Sequence, residues 1–321
     1  MLYTRRELGQ LALATLPAAG LAGRPLAAIA AAAAKPDSKV NGVQIGLNVP
    51  YDFGNNLMSG DEVLDGCLKL NVSAVELRSQ PVELFMGVPQ ALLAGGGRGQ
   101  QTPEQLAARK TAAADLSKWR TAAPLAKARD FRKKYEDAGV LIQILKFDNV
   151  LAFSDEVLDY AFELAKAVGA GAISCELPVD QVEASKRLGQ FADKHGLMIG
   201  FHGHTAMTPA IWERAFTYAK HNGANLDIGH FIGGNKTSPV PFLKQHHDRI
   251  THVHVKDKTF ADANVPFGKG DTPITEVLRV IRDNKWPIQA TIEFEYPVPQ
   301  GSDRMTEIAK SVDYCRKALS A

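Results

Sequence analysis

Cysteine is scarce in this chain, with Cys67, Cys175 and Cys315 the only three in 321 residues. An odd count without a CxxC pair excludes a disulfide framework and a cysteine-ligated zinc site. One bridge is the most that can form, so stability must come from packing. Aromatic residues make up 7% and charged residues 22%, against 45% hydrophobic. That balance excludes a disordered or collagen-like chain and leaves ample material for a core. A surplus of one charge sign is also missing, since the formal net charge is only +2. The surplus sits in residues 1–34, where Arg5, Arg6 and Arg24 face Glu7 alone. The remainder is near neutral. A nucleic-acid partner is therefore not expected, because phosphate neutralisation by Lys and Arg drives that affinity.

What is present begins with an address. Thr4-Arg5-Arg6-Glu7-Leu8 leads into an Ala-rich apolar run through Leu16, Leu21 and Leu26. A charged start, a modest apolar region and small residues for cleavage describe an export signal. Pro17, Gly20, Arg24 and Pro25 interrupt the run, so no stable membrane span is expected in the mature form. The paired arginines resemble a twin-arginine signal, with Glu7-Leu8 a weaker match at the following positions. Such export carries folded proteins, which suits an enzyme that acquires a metal before crossing. The expected organisation is a signal over 1–34 and one catalytic domain over 35–321, exported to the periplasm or beyond.

From residue 36 onward, short β-prone runs alternate with longer helical patterns, the rhythm of βα units around a parallel sheet. The expected strands are 43–49, 74–78, 140–146, 172–177, 198–204, 224–229, 250–256 and 289–295. Helices are expected after Ser154, from Pro273, and from about Asp303 to Leu319. Eight βα units over about 280 residues fit a (β/α)8 TIM barrel as a single domain. A doubly wound sheet is less suitable, because no Gly-rich dinucleotide fingerprint follows the first strand. The segment 81–139 is too long for one helix. Its glycine stretch at 95–99 reads either as a surface loop or as a lid.

The later strands end in titratable groups: Glu176; His202 and His204; Asp227 and His230; His252, His254 and Lys256; Glu293 and Glu295. Strand alternation puts the members of each close pair on one face. A lone strand His is more often a hydrogen-bonded core residue, and a lone Glu usually faces water. Five successive strands ending this way point instead to a divalent cation at the C-terminal mouth, where this fold keeps its active sites. His195, His221, His246 and His247 fall in helical or loop contexts and are read as surface residues.

On Leu226-Asp227-Ile228-Gly229-His230, His252-Val253-His254-Val255-Lys256-Asp257, Gly268-Lys269-Gly270-Asp271 and Ile292-Glu293, the chain resembles the xylose-isomerase-like barrels. These include sugar isomerases and epimerases, inosose dehydratases and metal-dependent abasic-site endonucleases. The resemblance implies one divalent ion (Mn, Mg, Zn or Co) held by a Glu, an Asp, a His and a final Glu. Asp227, His254 and Glu293 match the last three. Many epimerases carry the first Glu on strand five, where this chain has His202. Glu176, one strand earlier, is expected to supply that ligand, with His202 the alternative as ligand or catalytic group. His252 is either a ligand or a support one layer deeper. His230 matches a position that contacts substrate oxygen, and residues 268–271 match a loop bordering the site.

The chemistry implied is proton abstraction α to a carbonyl of a sugar or keto-sugar. Glu176, His202, His204 and Glu293 are the candidate bases. Lys256 either holds the developing oxyanion or pairs with Asp257. Epimerisation, isomerisation and elimination are all compatible outcomes, with lyase or hydrolase action on oxidised 3-keto-glycosides the main alternative. Export and the lack of a Lys/Arg phosphate clamp favour a small unphosphorylated carbohydrate. A non-catalytic exported carbohydrate-binding protein is the non-enzyme alternative, and a homo-oligomer is compatible with the sequence.

Overall fold

The computed structural model describes residues 35–93, 102–177, 179 and 181–321. The export-signal reading of 1–34 and the glycine stretch at 95–99 lie outside the described residues.

Eight short strands run parallel: β1 (Val43–Val49), β2 (Ala74–Arg78), β3 (Leu141–Lys146), β4 (Ala172–Glu176), β5 (Met198–His202), β6 (Asn222–Asp227), β7 (Ile250–Val255) and β8 (Gln289–Ile292). Each pairs with the next, and β8 pairs back onto β1 with Thr291 opposite Gly46. The sheet thus closes on itself, with helices in the connections: a single TIM barrel. A two-residue strand, Lys39–Val40, adds antiparallel to β1 through Asn41-Gly42. Both turn residues have positive φ, the geometry that makes Asn-Gly a hairpin turn.

Strand ends differ from expectation where a local hydrogen bond intervenes. Residues 228–230 are not strand. The Asp227 side chain accepts the His230 N–H and starts the helix Ile228–Asn235 at that point. Strand β5 stops at His202, leaving His204 in the loop that follows. Strand β8 stops at Ile292, so Glu293 and Glu295 lie just beyond it. The helix Asp155–Ala167 begins, as its sequence predicts, with Ser154 capping the Val157 N–H. The final helix, Arg304–Ser320, is capped by Asp303 in the same way.

Alternation sorts the strands into two populations. Ile45, Leu47, Val75, Leu77, Ile173, Phe201, Leu226, Val253, Val255 and Ile292 belong to one continuous apolar cluster that includes the helices. The intervening positions, Asn48, Glu76, Ser174, His202, Asn225, Asp227, His252, His254 and Thr291, are buried and polar. Contacts between non-adjacent strands, such as Glu76 on β2 with His252 and His254 on β7, run through the interior. The centre of the barrel is therefore polar well below its mouth.

The long β2–β3 connection resolves into helices Ser79–Met86, Gln90–Leu93, Pro103–Ala122 and Leu125–Ala138. A Thr102–Gln105 capping box with Pro103 in the first turn starts the third of these. Its far end is pinned by Arg120, whose Nε and Nη2 donate to the two Glu83 oxygens at 2.7 and 3.1 Å. Glu83 is fully buried and also accepts from the Tyr160 hydroxyl. Arg120→Ala strands that carboxylate, and we expect destabilisation of about 3–5 kcal/mol, the usual cost of breaking a buried pair from one side. Urea unfolding followed by circular dichroism checks this; a midpoint equal to wild type contradicts it.

Candidate active site

The site is built from the last residues of β5, β6 and β7 and the first residue past β8. Asp227 divides its carboxylate: Oδ1 caps the following helix at 2.7 Å, which leaves Oδ2 facing the barrel axis. His254 sits on β7 with Nδ1 3.3 Å from Glu293 Oε2 and 3.8 Å from Asp227 Oδ2. Glu293 is held through Oε1, which accepts from Asn48 Nδ2 at 2.9 Å. Asp52, buried behind β1, accepts from the backbone N–H groups of Asn48 and Phe294 and so ties the first and last strands together. His202 completes the group, its ring centre 4.7 Å from that of His254. One ligand atom from each of His202, Asp227, His254 and Glu293 lies within 4.8 Å of the others.

These four residues fit a divalent cation. Asp227 Oδ2, Glu293 Oε2, His254 Nδ1 and His202 Nδ1 are all buried; the two carboxylate oxygens meet the Lys256 ammonium, and His202 Nδ1 has no hydrogen-bond partner among the described residues. Leaving even one such group unpaired is costly, about 1–3 kcal/mol. Two carboxylates and two imidazoles form a mixed oxygen and nitrogen donor set suited to first-row divalent ions. Burial drives the His202 pKa well below its ordinary value, keeping the ring neutral and able to donate a lone pair. Burial opposes charge on His254 as well, but Glu293 and Glu76 override it and push that pKa up to about 10.

Lys256 is the resident positive charge. Its Nζ lies 2.9 Å from Asp227 Oδ2, 2.5 Å from Glu293 Oε2 and 2.7 Å from Glu295 Oε2. No Lys256–Asp257 ion pair occurs among the described residues. Asp257 turns away and accepts the N–H groups of Gly268, Lys269, Gly270 and Thr272. This explains the 268–271 motif: a Cβ on Gly270 would stand 2.3 Å from Asp257 Oδ1. The loop is pinned beside the site by an anion, with no side chain of its own in the cluster.

Glu176 stands outside the group of four. Its Oε1 accepts from the buried Lys146 Nζ at 2.9 Å, and its Oε2 meets His204 Nε2 at 2.9 Å. Burial works against its charge, yet His202, His204 and Lys146 hold its carboxyl well below the ordinary range. The His204 side chain is 63% exposed, and its pKa is raised by the hydrogen bond to Glu176. His230 is buried, with Nδ1 3.4 Å from Lys258 Nζ and its ring 4.9 Å from that of His204. Opposite, Arg78 Nη1 reaches both Asp148 oxygens at 2.7 Å, and its guanidinium lies over Tyr51, whose hydroxyl donates to Glu295.

His252 lies deeper, with Nε2 3.1 Å from Glu76 Oε2. Neither Glu76 nor Asn48 is singled out by the sequence. The available signal was a polar residue on the inward-alternating positions of each of two largely apolar strands. His195, His221, His246 and His247 lie away from the site, half-buried rather than freely exposed. The first three pair with Asp159 and Glu163, Asp193, and Glu213, and the last stacks on Trp286.

The model for the family described as xylose isomerase-like TIM barrel matches residues 158–318, half of the chain and the half that carries all four cluster residues. The chain belongs to that family. Comparison with curated proteins returns no match. Among solved structures, a xylose isomerase domain protein from Planctomyces limnophilus superposes with a TM-score of 0.58 at 14% identity, covering 86% of this chain and 96% of that one. An L-ribulose 3-epimerase gives 0.55 at 9%, covering 86% and 94%. A D-psicose 3-epimerase with D-tagatose, from Clostridium cellulolyticum H10, gives 0.55 at 9%, covering 87% and 97%. At these identities the likeness is one of fold.

Because Lys256 is 2% exposed and compensates three carboxylates, Lys256→Met should cost about 3–5 kcal/mol in chelator. A divalent ion bound to the same carboxylates should return at least half of that loss. Thermal melts with EDTA and with millimolar Mn²⁺ test both parts. An equal deficit in the two buffers counts against a cation site at Asp227 and Glu293.

Proposed function

We propose that this chain is a divalent-metal-dependent isomerase or epimerase that removes a proton α to the carbonyl of a sugar or keto-sugar. The observation that carries the reading is the convergence of four buried ligand groups, on His202, Asp227, His254 and Glu293, within 4.8 Å of one another at the C-terminal mouth. These four residues would hold the ion, which when bound supplies Lewis-acid polarisation of a carbonyl or its neighbouring hydroxyl. Glu176 is the alternative first ligand, reached only if it leaves Lys146 and His204. Mn, Mg, Zn and Co all suit the donor set. The two epimerase structures of the same fold, one of them with D-tagatose, support a small carbohydrate substrate.

The chain's own groups divide the work. Glu293, oriented by Asn48, is a base on one side of the cluster. His204, raised in pKa and anchored through Glu176 to Lys146, is a proton carrier in contact with solvent on the other. Lys256 offers an ammonium to the oxygen on which negative charge develops. His230 binds substrate oxygen at the mouth. Two proton-handling groups on different sides suit epimerisation or isomerisation. The same pair also suits elimination, with His204 protonating the leaving oxygen, and this is the second reading: a lyase or hydrolase of oxidised glycosides. The segment 1–34 would deliver the folded enzyme outside the cytoplasm, where unphosphorylated sugars are met.

Incubating aldoses, ketoses and 3-keto-glycosides with Mn²⁺-loaded protein in D₂O tests the reading by NMR. We expect deuterium at the carbon next to the carbonyl of at least one of them. Glu293→Gln should lower metal occupancy and reduce exchange by a factor of at least about 10² without changing the circular dichroism spectrum. Binding with no exchange in any metal-loaded sample points to a carbohydrate-binding protein instead. Full occupancy with full turnover in Glu293→Gln removes that residue from the mechanism.

A further inference from the structure

Glu76 has no part in the reaction described above, yet it is a fully buried carboxylate inside the barrel. It sits in the middle of β2 in Ala74-Val75-Glu76-Leu77 and is fully buried. Burying a carboxylate there is expensive unless its charge is answered. The answer comes from across the barrel: Oε2 lies 2.5 Å from His254 Nε2 and 3.1 Å from His252 Nε2. Strands β2 and β7 are not neighbours, so the contact spans the interior instead of following the sheet.

A carboxylate only accepts, and a contact of 2.5 Å is attractive only if the nitrogen carries a proton. His254 Nε2 must therefore be the protonated nitrogen facing Glu76. Asn225 Nδ2 stands 3.0 Å from the same nitrogen, where two donors would face each other, so the amide is assigned the opposite way round. With its amide oxygen on that side, Asn225 is a second acceptor, and its otherwise unbonded Oδ1 gains a donor. Holding Nε2–H downward turns Nδ1 upward, toward Asp227 and Glu293. We propose that Glu76 is the positioning residue for the site: it fixes which nitrogen of His254 faces the cluster and, through its negative charge, strengthens that nitrogen as a donor. Such a carboxylate behind an imidazole orients the ring and raises its basicity toward a metal. His252 shares the carboxylate but has no atom in the group of four, so its role is to hold Glu76.

The affinity part of this inference rests on the metal reading; the orientation part does not. Mn²⁺ affinity measured by EPR of the free ion should fall about 10- to 100-fold in Glu76→Gln, with the circular dichroism spectrum retained. His252→Gln, which disturbs the same buried layer but leaves the Glu76–His254 contact, should stay within about threefold of wild type. Equal weakening in both variants means that the layer is merely structural and overturns the proposal, as does unchanged affinity in Glu76→Gln. The orientation is read separately in ¹⁵N-labelled, metal-free protein. Wild type should show a downfield, slowly exchanging His254 Nε2–H signal that moves upfield in Glu76→Gln, and a signal that does not move overturns the proposal. Should Glu76→Gln fail to fold, Glu76→Asp keeps the charge while lengthening the contact, and should show the same upfield movement to a smaller degree. Wild type that takes up no Mn²⁺ sinks the metal reading, while the NMR result still decides the role of Glu76.

Discussion

Four carboxylates, Glu76, Asp227, Glu293 and Glu295, stand along the barrel axis or at its mouth, and the rest of the site depends on how their charge is met. Among the described residues, two cationic groups touch them directly, Lys256 and His254. Such a group of charges cannot be sustained in a low-dielectric interior by pairwise attraction alone. Asp227, Glu293 and Glu295 are each committed twice, once to a fixed structural donor and once to the centre. Asp227 caps a helix with one oxygen, and Glu293 accepts from Asn48 with one oxygen. The second oxygen of each is left for a cation. This division of labour makes the site rigid, because no functional atom can move without breaking a structural bond.

The surrounding ring of residues is neutralised locally instead. Arg78 with Asp148 and Lys146 with Glu176 form closed pairs around the mouth. Their charges cancel over short distances, so the field at the centre comes mainly from the axial carboxylates. His204 is the exception that connects the two zones. It is bonded to Glu176 but open to solvent, a position from which protons can be exchanged with water.

Below the mouth, the interior differs from the layered aliphatic packing usual in this architecture. Asn48, Ser174, Asn225, His252, Gln289 and Thr291 form a polar column. Apolar burial is handled outside, between strands and helices, where the continuous cluster lies. Small residues make room for the column: a Cβ on Gly46 would come within 2.6 Å of Gln289 Nε2. Stability and chemistry are thus assigned to opposite faces of the same strands.

The barrel and the residues at its strand ends were legible in the one-dimensional pattern, because β-rise, alternation and turn chemistry are local. Asp227, His254 and Glu293 stood out because each lies in a strand-end motif that resembles the xylose-isomerase-like barrels. Glu76, Asn48 and Asn225 did not, since a polar residue within a short strand looks the same whether it meets water or a buried partner. Which fourth side chain joins the cluster, where Lys256 points, and what supports His254 from below are set by contacts between residues 29 to 245 positions apart. Only closure of the sheet into a ring brings β2 opposite β7, and that distance across the axis is a property of the folded cylinder and of no segment within it.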